Sequence, residues 1–144
     1  MTPAVKGMMR VSEMNDEELI ATAKEYRERA YVPYSNFKVG AAVLAKSGKI
    51  YGGCNIENAS YPVTNCAERT AIFKAVSEGG RELEAIAVIA DTEGPCSPCG
   101  ACRQVMAEFC IPRIIMANLK GDTKAVSLEE LLPYAFSDRD FLNA

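Results

Sequence analysis

Cys99 and Cys102 stand three apart in PCGAC, the spacing that brings two side chains to one face of a helical turn. Cys66 opens a second helical stretch, so two helix starts can bring three thiols to one point. Zinc takes four ligands, with sulfur at about 2.3 Å, and a site with three protein ligands keeps a position for water. Glu68 lies two residues beyond Cys66, where a carboxylate can sit beside the ion without ligating it, the place for a proton shuttle to a metal-activated water. Three thiolates around Zn²⁺ leave a charge of about −1, which opposes ionisation of a bound water. Two helix N-termini and Arg69, three residues past Cys66, can offset it. The chain has no histidine, so acid-base work falls to carboxylates or metal-bound water.

Each of these residues also has a plainer reading. The cysteines could form a closed zinc staple with Cys54, Cys96 or Cys110 as fourth ligand, or Cys99 and Cys102 a redox pair that leaves Cys66 unexplained. Asn65 and Glu68 spell N-x-x-E, a capping box. Cys54 and Cys110 read as small buried hydrophobes. Asn55 and Glu57 read as turn residues after a strand, and Phe136 as core.

The elements that must position these residues follow from periodicity and punctuation. The string N-D-E-E at Asn15 reads as a capping box opening a helix over residues 16 to 29. KVGAAVLA and KIYGGC flank Ser47-Gly48, which predicts a hairpin of two antiparallel strands between Phe37 and Cys54. Ala67, Ala71, Ala75, Ile72 and Val76 mark a helix over 66 to 78 that stops at Gly79. EAIAVIAD, residues 84 to 91, is apolar on both faces, as a central covered strand must be. Ser97-Pro98 predicts the start of a third helix, closed by Pro112, and RIIMAN at 113 to 118 a strand parallel to the previous one. The link at 119 to 122 is too short for a crossover helix, so a strand at 123 to 126 returns antiparallel, before SLEELLP makes a short helix. The expected fold is α/β: a three-layer α/β/α sandwich around a mixed sheet of about five strands. Residues 1 to 14 read as a loosely attached N-terminal extension and 15 to 144 as one domain.

Composition narrows the function classes. Apolar residues make up 49% and charged residues 24% of 144, the balance of a globular domain. A formal charge of −3 with scattered Lys and Arg gives no basic groove, so no nucleic-acid partner is expected. No stretch reaches the roughly 18 apolar residues that span a membrane, so no membrane partner is expected. Six cysteines without a secretory signal read as thiols, which places the chain in the cytoplasm.

The strings PYSNFKVGAA, GCNIENASYP, NCAERTA, SPCGACRQV and EELLPYAFS run in order from Tyr31 to Phe136. They resemble the small, homotetrameric cytidine deaminases of pyrimidine nucleoside salvage, within the cytidine and deoxycytidylate deaminase superfamily. Zinc deaminases hold the ion on His/Cys/Cys or, as the pattern here matches, Cys₃, with a P-C-x-x-C half and a non-ligand Glu. The resemblance implies one zinc per chain on Cys66, Cys99 and Cys102, and a zinc-bound hydroxide with Glu68 as proton shuttle. It also implies substrate contacts from Phe37, Asn55, Glu57, Ala67 and Phe136, with Asn55 and Glu57 on the ribose hydroxyls. Phe136 is implied to reach into a neighbouring subunit's site in a homotetramer, and Arg69 to temper the thiolate charge. The implied activity is hydrolytic deamination of free cytidine and 2'-deoxycytidine to the uridine nucleosides and ammonia. Cys96 and the extension before Asn15 depart from that pattern. A polynucleotide-editing deaminase, a deaminase of a cytosine-bearing antibiotic and a non-catalytic zinc module remain as alternatives. The acidic charge opposes the first and the NIEN string is not needed by the second.

Overall fold

Strands β1 (Val39–Ala45), β2 (Ile50–Cys54), β3 (Leu83–Ala90), β4 (Arg113–Asn118) and β5 (Thr123–Ser127) form one sheet ordered β2-β1-β3-β4-β5. They are seen in a computed structural model that describes the backbone of residues 11 to 142 and the side chains of 15 to 141. The expected hairpin is present. Gly48 N–H donates to the Ala45 carbonyl at 2.9 Å and Gly48 takes φ 95°, a left-handed position that closes the turn into the twist of β1 and β2. β3 and β4 pair in parallel, Ala85 opposite Arg113 through Ala90 opposite Asn118, and β5 returns antiparallel to β4.

Helices cover both faces. α1 (Val11–Arg27) packs Leu19 and Ala23 on Ala42, Leu44, Ala85, Ala87 and Ile89. On the other face α2 (Ala67–Ser77) and α3 (Gly100–Glu108) pack Ala71, Ile72, Cys102 and Met106 on Ala41, Val43, Ile86, Val88 and Ile114. The alternation along β3 sends successive residues to the two cores, which is why that strand is apolar from Ala85 to Ala90. Short helices α4 (Leu128–Leu131) and α5 (Arg139–Leu142) follow β5, and Ser127 with Glu130 forms the capping box that starts α4. The three-layer α/β/α sandwich with a mixed five-stranded sheet is the expected fold.

Three boundaries depart from expectation. Asn15 lies inside α1, which already runs from Val11, because nothing between Val11 and Asn15 breaks a helix and a capping string only permits a start. The ten residues before Val11 lie outside the described residues, and with them most of the expected extension. α3 opens at Gly100 with Cys99 as its N-cap, two residues past Ser97, and ends at Glu108, before Pro112. Cys110 stops it with φ 51°, a left-handed turn that glycine usually supplies. Among the described residues no helix is long and apolar enough to cross a membrane.

Candidate active site

Cys66 and Cys99 are the N-caps of α2 and α3, both with extended backbone (φ −72°, ψ 155° and φ −71°, ψ 168°). Neither side chain caps its own helix, so both thiols are free to turn outward. One turn into α3, Cys102 is fully buried. The Cys66 and Cys99 sulfurs lie 3.8 Å apart and those of Cys99 and Cys102 3.5 Å apart. The three ligand atoms all fall within 4.8 Å of one another, the one such group among the described residues. Sulfurs held about 2.3 Å from one ion in tetrahedral geometry stand about 3.8 Å apart, so the group fits a zinc ion with three protein ligands.

Arg69 donates from its guanidinium to the Cys66 sulfur at 3.1 Å. The hydrogen bond from Cys102 first, and then Arg69, hold the Cys66 thiol down to about 5, while hydrogen bonding to Cys66 and burial push Cys102 up. One of the pair thus ionises readily beside a fixed cation, and the Cys66 thiolate in turn raises the pKa of Arg69.

Glu68 is 4% exposed, one of two buried polar side chains among the described residues. Burial pushes its carboxyl up to about 7, with the Cys66 charge adding to the rise, while its own backbone N–H and the Cys102 thiol pull the other way. The capping-box reading does not hold, because the N-cap is Cys66 and Asn65 donates instead to Thr70 Oγ1 at 3.0 Å.

Asn55, Ile56 and Glu57 follow β2. Ile56 pairs with Asn65, exchanging two backbone hydrogen bonds of 3.0 Å, so this segment runs beside the residue that precedes Cys66. Asn55 Oδ1 accepts from Val39 N–H at 2.9 Å and its Nδ2 donates to the Phe37 carbonyl at 2.8 Å. Glu57 accepts from the Tyr34 and Ser35 amides at 2.9 and 3.1 Å and from the Ser35 hydroxyl. The Ser35 hydroxyl is the chief reason its carboxyl sits below the usual range. Both side chains therefore brace the loop that ends in half-exposed Phe37. Ala67, next to Cys66, is fully buried.

Phe136 is exposed rather than core and stacks on Phe141 at 6.0 Å between ring centroids. Its carbonyl accepts from Gln104 Nε2 at 2.8 Å, which ties the segment to the zinc-ligand helix. Of the other cysteines, Cys54 and Cys96 are buried and Cys110 is exposed, contrary to its reading as a buried hydrophobe. None joins the group of three, so no fourth thiol closes the site among the described residues. Burial raises the Cys96 thiol to about 11, which keeps it neutral.

Two residues had no role in the sequence reading. Arg103 donates to the Pro98 carbonyl at 2.9 Å, to Ser97 Oγ at 2.8 Å and to the Leu131 carbonyl at 2.8 Å, clamping the approach to Cys99. Asn118 is the other buried polar side chain. Two of its partners, the Thr92 and Glu93 carbonyls, lie far along the chain, and only the position of Arg103 directly after Cys102 was a signal.

Three thiols and a buried carboxylic acid meet at two converging helix starts on an α/β/α frame, a donor set that fits one metal ion with an acid beside it. The chain belongs to the cytidine and deoxycytidylate deaminase family of zinc enzymes: the family's zinc-binding region matches residues 13–118. It is 62% identical over 130 residues to a cytidine deaminase of Sporosarcina psychrophila, covering 88% of this chain and 95% of that one. To a cytidine deaminase of Halalkalibacterium halodurans it is 57% identical over 129 residues, covering 88% and 98% of the two chains. The crystal structure of cytidine deaminase from Burkholderia pseudomallei superposes with a TM-score of 0.81 at 54% identity, covering 83% of this chain and 98% of that one.

Proposed function

We propose that the chain deaminates free cytidine and 2'-deoxycytidine by hydrolysis, releasing ammonia and the uridine nucleosides, in cytoplasmic pyrimidine salvage. Six free thiols suit a reducing compartment. Cys66, Cys99 and Cys102 would hold one zinc per chain, which when bound polarises and activates water. The observation that carries the mechanism is Glu68, a buried carboxyl beside the three thiols, pushed up to about 7. A group poised there takes a proton from water and returns it near neutral pH. Glu68 would deliver that proton to ring N3 as water's oxygen bonds to C4, then carry the proton left on that oxygen to the exocyclic amine, so that the C4–N bond breaks, ammonia leaves and the oxygen stays as the C4 carbonyl. Arg69 offsets thiolate charge.

Asn55 and Glu57 would meet the ribose hydroxyls with the hydrogen-bonding capacity left over from bracing the loop, and Phe37 and Ala67 would line the pocket. Phe136, exposed and anchored to α3 through Gln104, would serve a neighbour's site in a homotetramer. An anionic Glu57 beside the sugar repels phosphate, which favours nucleosides over nucleotides and polynucleotides.

Purified protein incubated with cytidine, deoxycytidine, deoxycytidine monophosphate, single-stranded DNA and a cytosine-bearing nucleoside antibiotic tests this, following ammonia and loss of cytosine absorbance. The two free nucleosides are expected to turn over fastest. Faster turnover of the nucleotide, the DNA or the antibiotic would overturn the substrate assignment.

A further inference from the structure

Among the described residues two polar side chains are buried, and the one outside the proposed chemistry is Asn118, 3% exposed at the end of β4. A buried amide is costly unless its hydrogen-bonding groups are matched, and this one uses both ends. Its Oδ1 accepts from the Lys120 and Asp122 amides at 3.0 and 2.9 Å, which shapes the turn into β5. Its Nδ2 faces the opposite way, toward the Thr92 and Glu93 carbonyls at 3.1 Å each and Asp122 Oδ2 at 2.9 Å. Thr92 and Glu93 begin the loop that leaves β3 and delivers Cys99 and Cys102. The next residues reinforce the joint: Cys96 N–H donates to the Ala117 carbonyl at 3.0 Å, and Lys120 pairs with Glu93 at 3.1 Å.

We infer that Asn118 is a positioning residue for the Cys99 and Cys102 half of the metal site, acting through the loop at Thr92 and Glu93. The inference rests on the zinc-site reading above. The loop runs from the end of β3 to Cys99 with no regular structure between, so its path is set by what grips it. Asn118 grips the outgoing end and Arg103 the incoming end at Ser97 and Pro98. Releasing the first grip lets the Cys99 and Cys102 sulfurs drift relative to Cys66, which is fixed from α2. The donor bonds that matter run from Nδ2 to the Thr92 and Glu93 carbonyls, whereas the Oδ1 bonds and the Nδ2 bond to Asp122 belong to the turn.

Asn118→Asp, made together with Asp122→Ala so that no second carboxylate faces the new one, keeps an acceptor for the turn amides and removes the Nδ2 donors to the Thr92 and Glu93 carbonyls. Asp122→Ala alone is the converse, loosening the turn while leaving Nδ2 free to hold Thr92 and Glu93. Wild type and both variants are compared for zinc affinity by chelator competition, for the d–d spectrum of the cobalt(II)-substituted protein, and for thermal midpoint. Asn118→Asp with Asp122→Ala is expected to weaken zinc about tenfold, the low end for groups that hydrogen-bond metal ligands directly, and to alter the cobalt spectrum. Asp122→Ala alone is expected to lower the thermal midpoint with zinc affinity and spectrum unchanged. Zinc affinity and spectrum unmoved in the double variant, or moved alike in both variants, would overturn the inference. Failure of wild-type protein to bind zinc would sink the metal site itself and this inference with it.

Discussion

Glu68 shows how burial changes what one side chain can do. An exposed carboxylic acid ionises far below neutral pH, but enclosure beside the Cys66 thiolate raises this one to about 7, where it can hold a proton and release it. Glu68→Gln keeps the shape and the burial while abolishing exchange of the proton. It is expected to keep its fold and one zinc per chain and to lose turnover by about a thousandfold, within the range that general acid-base catalysis contributes. Metal content, thermal midpoint and kcat measured together decide it, and surviving turnover would assign Glu68 a structural role. Arg69 acts on the ligands. Its hydrogen bond to the Cys66 sulfur is charge-assisted, and partial exposure of the guanidinium places its worth at the low end for such bonds. Arg69→Ala is therefore expected to weaken zinc about tenfold, read by chelator competition. Unchanged affinity would show that the helix N-termini alone compensate the thiolates.

At the scale of elements the site depends on how closely α2 lies on the sheet, and Gly53 permits that approach. A Cβ at Gly53 would lie 2.5 Å from the Ala71 nitrogen and 2.7 Å from the Ala67 carbonyl, both backbone atoms of the helix that carries Cys66 and Glu68. Gly53→Ala must push α2 outward, at a cost of about 1–3 kcal/mol as in other overpacked cores, and shift Cys66 away from its partners on α3. It is expected to lower the thermal midpoint and zinc affinity together. Gly94→Ala, with open space around its Cβ, should move neither, and equal effects of the two would refute the packing argument. The alanine row Ala67, Ala71 and Ala75 announced this close packing in the sequence, as alternation announced the hairpin and the doubly apolar run announced β3. The ends of helices were less readable. Cys99 caps α3 without a side-chain hydrogen bond, so Ser97-Pro98 looked the better start, and Cys110 ends α3 in a conformation that no cysteine advertises. That the three thiols, Glu68 and Arg69 come together could be read because their spacing is local and their chemistry distinctive. Asn118 and Arg103 could not, since their roles arise from carbonyls as much as 26 and 28 residues away, which no local pattern encodes.

The whole molecule exposes more aromatic surface than its own site uses. Tyr61 is 71% exposed, Tyr134 105%, and Phe136 63%, in two loop regions that bracket α2 and α3. Aromatic rings left in water are a common mark of association surfaces. Phe136 is also fixed in place, its carbonyl on Gln104 and its ring on Phe141, so it is presented outward from the zinc-ligand helix instead of folding over it. If a homotetramer completes each site with a neighbour's Phe136, two defects placed on different subunits can compensate. Phe136→Ala and Glu68→Gln subunits, each nearly inactive alone, are expected to regain activity when refolded together. Some sites in the mixed oligomer then pair an intact Glu68 with an intact Phe136 from the next chain. Random mixing bounds the gain to the fraction of such sites, so recovery should rise and fall with the ratio of the two variants, peaking at equal amounts. Mass measurement under native conditions verifies the mixed oligomers. Their presence without any recovered activity would confine Phe136 to its own subunit and remove the shared site from the proposed function.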